Sequence, residues 1–280
     1  MVQVAAPPLT TVPPPPSRCK VCGARAPLFD VVDFSKSCAD PSGAPFAPSG
    51  RDVAYHRCAR CGFIFTHFFD AFTPEDFRRE VYNDGYVLVD PLYPALRPEA
   101  NGRLLRRVLA EACAFSASPR LLDYGAGSGA LAAALGDAAL THGYDPFSMA
   151  AHAPPAGAFD VVFSSEVIEH VTAPSRALAA MRGYLRGGGF MLLSTAVPPA
   201  DIDTQRGGWW YLSPRNGHVC AFTHDALARL CKGAGLQYTA LSGEWHLMEL
   251  LGAPCAALDT DRLRGIVAAL PTGFVDVTAR

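Results

Sequence analysis

No apolar run in the 280-residue chain approaches the roughly 18 residues needed to cross a bilayer, which argues against a membrane-spanning protein. The N-terminus, MVQVAAPPLTTVPPPPS, has neither the basic n-region nor the unbroken apolar h-region of a signal peptide, so a cytoplasmic location is expected. Charge is also scarce. Charged residues make up 18% of the chain and the formal net charge is −2, which argues against a nucleic-acid binder relying on a broad basic surface. The GxGxxG dinucleotide fingerprint is missing as well. Apolar residues are plentiful at 50%, enough for a buried core, and this excludes wholesale disorder. Cysteine is the exception to the scarcity of reactive side chains. There are nine, and four of them form two Cys-x-x-Cys pairs, which in a reducing compartment favours metal over disulfide.

The chain divides into three stretches. Residues 1–17 are a Pro-rich tail, read as extended or disordered. Residues 18–85 are loop-rich, carry the Cys pairs and end in an aromatic linker. Residues 86–280 alternate strand and helix signals. Helical spacing is predicted over Glu99–Phe115. The run RLLDYG reads as a strand leading into a glycine-rich turn and the helix ALAAALG, and THGYDP and AFDVVFSS follow as strands. The helix SRALAAMRGYLR is expected to stop at three glycines. FMLLSTAV, HDALARLCKGAG and LQYTALSGEWHLMEL continue as strand, helix and strand, and Asp259–Leu270 as a terminal helix. The alternation predicts an α/β fold, with βαβ units around a mostly parallel sheet.

The two pairs are Cys19-Lys-Val-Cys22-Gly and Cys58-Ala-Arg-Cys61-Gly, separated by 35 residues. Thiolates three positions apart can hold one ion from a tight turn, and the following glycine relieves the turn. Four thiolates complete a closed tetrahedral site suited to structural zinc rather than catalysis. In so loop-rich a segment, zinc would supply on the order of 10 kcal/mol of folding energy. The other cysteines read as small core residues. His56 and His67, beside the second pair, are not needed as ligands.

The strand end Asp123-Tyr124-Gly125-Ala126-Gly127-Ser128-Gly129 opens a helix, a setting in which glycines allow close backbone approach to a ligand. Its leading acid would repel a pyrophosphate and attract an ammonium group. The next strand ends in Gly143-Tyr144-Asp145-Pro146-Phe147, where a carboxylate can accept both hydroxyls of a ribose and Phe147 can stack on a base. A third strand runs into Ser164-Ser165-Glu166-Val167-Ile168-Glu169-His170.

Together these features resemble the class I S-adenosylmethionine-dependent methyltransferases, over about residues 100–250. The resemblance implies a Rossmann-like sheet. It places the aminoacyl end of the cofactor at Asp123, Tyr124, Gly125, Gly127 and Gly129 and the ribose at Asp145, with Phe147, Ser164 and Glu166 nearby. The two CxxCG pairs followed by Tyr82-Asn83-Asp84-Gly85-Tyr86 are similar to methyltransferases with an N-terminal zinc module, a group that includes deoxysugar C-methyltransferases. The longer sugar enzymes carry a further C-terminal domain with no counterpart in these residues. Only 14 residues separate Asp145 from Asp160, too few for a helix and a third strand, and none is acidic. An abbreviated adenine pocket is expected, with main-chain groups or His152 in place of an acid.

The resemblance implies methyl transfer to a small molecule, a sugar derivative or secondary metabolite, on oxygen or carbon. Tyr82, Tyr86, Glu169, His170 and His218 are expected to converge above the methyl group, with His218 or His170 as base. The Glu166/Glu169/His170 group has three readings: contact with the cofactor and a base; a divalent ion held with His218, resembling small-RNA 2′-O-methyltransferases and certain quinone O-methyltransferases; or a capped helix start. Two rival functions stand beside the first, an rRNA methyltransferase with a zinc module and a non-catalytic interaction protein that keeps the fold.

Overall fold

The computed structural model describes residues 16–146 and 152–270. The predicted tail over 1–17 therefore lies almost wholly outside the described residues, as does Phe147.

The N-terminal part is more ordered than its composition predicts. β1 (Ser17–Arg18) and β2 (Arg25–Ala26) pair around the first Cys turn. β3 (Leu28–Asp33), β4 (Asp52–Arg57) and β5 (Ile64–Thr66) form an antiparallel sheet, where the sequence reading expected loops. The strands are too short to show a clear alternation, but they bury Phe29, Val53, Tyr55, Ile64 and Phe65. α1 (Pro74–Glu80) starts at Thr73, whose side chain accepts from the Asp76 N–H while Asp76 reaches back to the Thr73 backbone, a capping box. α2 (Tyr86–Val89) is a single turn that presents Tyr86. α3 (Leu96–Glu111) buries Leu104, Leu105 and Val108 and stops before Cys113, which forms an isolated bridge with Leu258 instead.

The second half builds one six-stranded sheet. Its elements are β6 (Arg120–Tyr124), α4 (Ala130–Leu135), β7 (Leu140–Tyr144), β8 (Phe159–Ser165), α5 (Pro174–Tyr184) and β9 (Leu185–Ser194), then α6 (Ile202–Gln205), β10 (Cys220–Ala221), α7 (His224–Gly233), β11 (Leu236–Ala240), β12 (Trp245–Leu250) and α8 (Thr260–Ala268). The strand order is β11-β12-β9-β8-β6-β7. β7, β6, β8 and β9 are parallel, and β12 runs antiparallel between β9 and β11. β8 is buried almost throughout, consistent with its continuous apolar run. β7 is the sheet edge, and it is exposed and polar, with Leu140 64% accessible. Among the described residues no strand or helix stands between β7 and β8, as the 14-residue spacing requires.

One expected helix stop moves. α5 ends at Tyr184, and Gly187, Gly188 and Gly189 lie inside β9 rather than capping the helix. A Cβ on Gly189 would lie 2.5 Å from the Asp160 carbonyl oxygen, so close strand approach is what glycine permits there. The two halves are also stitched together. β10 leaves the larger half and pairs with β5, placing Cys220 opposite Phe65 and Ala221 opposite Ile64. No helix among the described residues is long and apolar enough to cross a membrane.

Candidate functional site

The carboxyl ends of β6, β7 and β8 open into a cavity of about 530 Å³. In open α/β sheets this is the edge where ligands bind. Its floor is the turn after β6, where Gly125 (φ 86°) and Gly127 (φ 50°) adopt left-handed backbone. A Cβ on Gly125 would meet Val167 Cγ2 at 2.3 Å, and one on Gly127 would meet the Tyr93 hydroxyl at 2.8 Å. Both positions therefore require glycine, for the backbone conformation and because Val167 and Tyr93 pack directly against the turn. The Gly127 N–H donates to Asp145 at 3.2 Å, tying the turn to the end of β7.

Asp123 and Asp145 both face this floor. Burial, and secondarily the Asp145 charge, push the Asp123 carboxyl up to about 7. An ammonium group seated against it would reverse that penalty. The chemistry of the floor, two acids beside a glycine cradle, thus fits an amino-acid head group and a vicinal diol.

The wall is aromatic and acidic. Tyr82, Tyr86, Tyr93, Glu166 and His170 line the cavity. Tyr82 and Tyr86 pack edge-on with ring centroids 5.1 Å apart, and Tyr86 packs in the same way on Tyr93 at 5.7 Å. The Tyr82 hydroxyl lies 3.2 Å from His170 Nδ1. Burial, with smaller contributions from Glu169 and Asp145, raises the Tyr82 hydroxyl above its usual range.

Glu166 has φ 53°, a left-handed conformation that is strained for a residue with a side chain. Its carboxyl accepts from the Tyr211 hydroxyl at 2.9 Å and from Ser194 at 3.3 Å. Burial and then the Glu169 charge raise its pKa well above the carboxylate range. The single helical turn expected for Glu166, Glu169 and His170 is therefore a 3-10 turn over Ile168–His170, preceded by this strained glutamate.

Glu169 and His218 are buried behind His170 and do not line the cavity. His218 Nδ1 sits 2.7 Å from the Tyr211 carbonyl oxygen, and the His218 ring stacks edge-on to His170 at 4.9 Å. Burial lowers His170 to about 4 and His218 to about 3, so both rings are neutral near pH 7. The expected group of Tyr82, Tyr86, Glu169, His170 and His218 is thus contiguous, in two layers.

Three of the sequence's cofactor candidates stand outside the cavity lining. Tyr124 is buried on the other face of the sheet against Tyr144 and Tyr184. Ser164 is buried while its neighbours Phe163 and Ser165 line the cavity, as the period of two along a strand requires. Gly129 caps α4 at φ 77°. Sequence reasoning missed Asp90 and Arg97, which pair through two hydrogen bonds of 2.8 and 2.9 Å at the cavity wall. Their seven-residue separation spans a turn between two helices, and no short-range pattern announces it.

The four Cys sulfurs form a second cluster, in which every ligand atom lies within 4.8 Å of the others. Cys19–Cys61 and Cys22–Cys58 sulfurs are 3.7 and 3.4 Å apart. A tetrahedron with metal–sulfur bonds of about 2.3 Å has edges of roughly 3.8 Å. Backbone N–H groups of Val21, Arg60 and Cys61 point at the Cys19 and Cys58 sulfurs at 3.4 Å. His56 bonds the Ala26 carbonyl and His67 contacts Ser17 and Asp70, so neither turns toward the cluster.

The family described as "Methyltransferase domain" matches residues 95–241, more than half of the chain. No curated protein matches it. The fold is similar to the Burkholderia thailandensis 1,6-didemethyltoxoflavin-N1-methyltransferase, solved with 1,6-didemethyltoxoflavin and S-adenosylhomocysteine bound. That pair shares 18% identity over 72% of this chain and 96% of the other, with a TM-score of 0.45. It is also similar to the CMeT domain of the citrinin polyketide synthase, at 13% identity over 64% and 60% of the two chains and a TM-score of 0.42.

Proposed function

The chain belongs to this methyltransferase-domain family, and from that membership we propose that it transfers the methyl group of S-adenosylmethionine to a compact ring compound, a sugar derivative or secondary metabolite. The observation that carries the reading is the cavity itself: a glycine cradle and two acids form its floor, and three tyrosines and His170 its wall. Its volume of about 530 Å³ suits small molecules. The two arginines of its lining are already paired, Arg97 with Asp90 and Arg78 with Glu75, which weighs against a polyanionic RNA acceptor.

The bound cofactor supplies a methyl group already activated by sulfonium charge. The chain's own residues hold and align the reactants. Asp123 takes the ammonium, Gly125 and Gly127 admit the amino-acid backbone, and Asp145 accepts the ribose hydroxyls. Tyr86 and Tyr93 close the side of the cavity and exclude water. The acceptor lies against Tyr82, whose hydroxyl is held by His170 and receives the acceptor's hydrogen bond. Alignment of this kind is worth roughly 7–11 kcal/mol in an in-line displacement. The four cysteines hold one structural zinc ion, closed to substrate, which fixes the two turns of the N-terminal module.

The test is a screen of sugars and small aromatic metabolites with labelled S-adenosylmethionine. Label transfer to one compound class, lost in Tyr82→Phe with cofactor binding kept, supports the reading. Label transfer only to RNA would overturn it.

A further inference from the structure

Arg215 is buried, at 6% exposure, in the turn that leads into β10, and it does not line the cavity. Burial lowers its guanidinium below the usual range, and among the described residues no carboxylate pairs with it. Its partners are two neutral oxygens instead. One terminal nitrogen donates to the Val81 carbonyl at 2.7 Å and the other to Asn83 Oδ1 at 2.8 Å, so the fork brackets the residues on either side of Tyr82. The guanidinium carbon also lies 4.9 Å from the centroid of the Phe46 ring. The adjacent Asn216 donates from its side-chain amide to the Val89 carbonyl at 3.0 Å, at the far end of the single turn α2. Two neighbouring residues thus grip both ends of the segment 81–89, which carries Tyr82 and Tyr86 to the cavity wall.

From this arrangement we propose that Arg215 and Asn216 are positioning residues for the acceptor, acting through Tyr82 and Tyr86; the link to the acceptor rests on the function proposed above. A buried cation without an acid is costly. What offsets the cost is geometry: a planar guanidinium fixes two acceptors at once, which the point charge of a lysine cannot do. The grip is itself anchored on the half of the chain that carries the cysteines. The Arg215 N–H donates to the Lys36 carbonyl at 3.1 Å, and Asn216 Oδ1 accepts from the Cys38 N–H at 2.9 Å, both in the connection between β3 and β4. The next residue closes on the same spot. A Cβ on Gly217 would lie 3.2 Å from His170 Nδ1 and 3.4 Å from the Tyr82 hydroxyl, so the turn packs directly on the Tyr82–His170 contact. The acids of the floor stand on other elements, at the ends of β6 and β7, so the grip bears on the acceptor side of the cavity rather than on the cofactor side.

The experiment places meta-fluorotyrosine at position 82 of the full-length chain and records its fluorine NMR spectrum with neither cofactor nor acceptor present. The wild-type chain should give one dominant resonance, displaced from that of the free amino acid. Arg215→Lys, which keeps the charge and loses the fork, should shift or split that resonance while S-adenosylhomocysteine affinity is retained. With the compound found by the label-transfer screen, the same variant should lower kcat by about 10- to 100-fold, the effect of a small misplacement of reactants. The KM for S-adenosylmethionine should stay unchanged, a split that general loosening of the fold would not give. Where Arg215→Lys fails to fold, Asn216→Ser with the label at position 86 takes its place, since it frees Val89 and keeps the guanidinium. A resonance unmoved in the folded variant, or cofactor affinity lost in step with the shift, would overturn the proposal. Absence of S-adenosylhomocysteine binding in the wild-type chain would instead sink the proposed function, and the fluorine spectrum, which needs no ligand, would still decide whether Arg215 holds Tyr82.

Discussion

Two buried side-chain clusters of this chain are built in opposite ways. The Cys19/Cys22/Cys58/Cys61 cluster is made from two tight turns, each contributing a pair of cysteines three residues apart. The Glu169/His170/His218 cluster takes adjacent residues from a 3-10 turn after β8 and a third from a loop that ends in β10. Local spacing specifies the first. Only tertiary structure assembles the second, through the pairing of β10 with β5, a strand of the module that carries the cysteines. The clusters are therefore coupled: whatever disorders the cysteine module also releases the segment bearing His218.

That coupling gives the largest expected effect. If the four cysteines hold zinc as proposed, Cys58→Ser removes one of its ligands, and with it much of a contribution on the order of 10 kcal/mol. Elemental analysis should show zinc lost, and a thermal melt should show both halves loosening together. A module that melts alone, with the cavity intact, would separate what the β5–β10 ladder joins.

The next effect contrasts the cradle with both clusters. Gly125→Ala places a Cβ 2.3 Å from Val167 Cγ2 on a φ of 86°. Strain and overpacking together should cost roughly 2–4 kcal/mol in urea unfolding, with cofactor affinity lost as well. Gly129→Ala, where nothing lies within 4 Å of the added carbon, should be milder although its φ of 77° still strains it.

These contrasts also bear on what the sequence made legible. The cysteine pairs, the glycine turn and the acids after β6 and β7 are short-range patterns, and each could be read from spacing alone. The short strands β3, β4 and β5 were not legible, because three to six residues carry too little alternation to distinguish strand from loop. The three glycines after α5 looked like a helix stop, yet they lie inside β9, where Gly189 permits the close packing on β8. Asp90 and Arg97 became visible only once α2 and α3 brought them together at the cavity. The side of β8 that each serine faces likewise needed the sheet: Ser165, not Ser164, reaches the cavity.

A smaller effect separates the two acids of the floor. Asp145→Ala should weaken S-adenosylhomocysteine binding about 100-fold, since two charge-assisted hydrogen bonds at roughly 1.5 kcal/mol each are removed. Asp123 should instead impose a pH dependence. Its folded-state pKa of about 7 is raised above the ordinary value of 3.8, so the ligand-free fold loses stability as pH rises through about 7. The bound ammonium requires the ionised form, so S-adenosylhomocysteine affinity should fall about tenfold from pH 8 to pH 6. Asp123→Asn should abolish that slope and stabilise the ligand-free protein at pH 8 in a thermal melt.

The most direct test of the central claim, that the floor at β6 and β7 holds S-adenosylmethionine, is isothermal titration of the full chain with S-adenosylhomocysteine, run in parallel on Asp145→Ala. The account predicts saturable binding of about one molecule per wild-type chain, weakened by about two orders of magnitude in the variant. No binding to the folded wild-type chain, or an equal dissociation constant for both proteins, would contradict it.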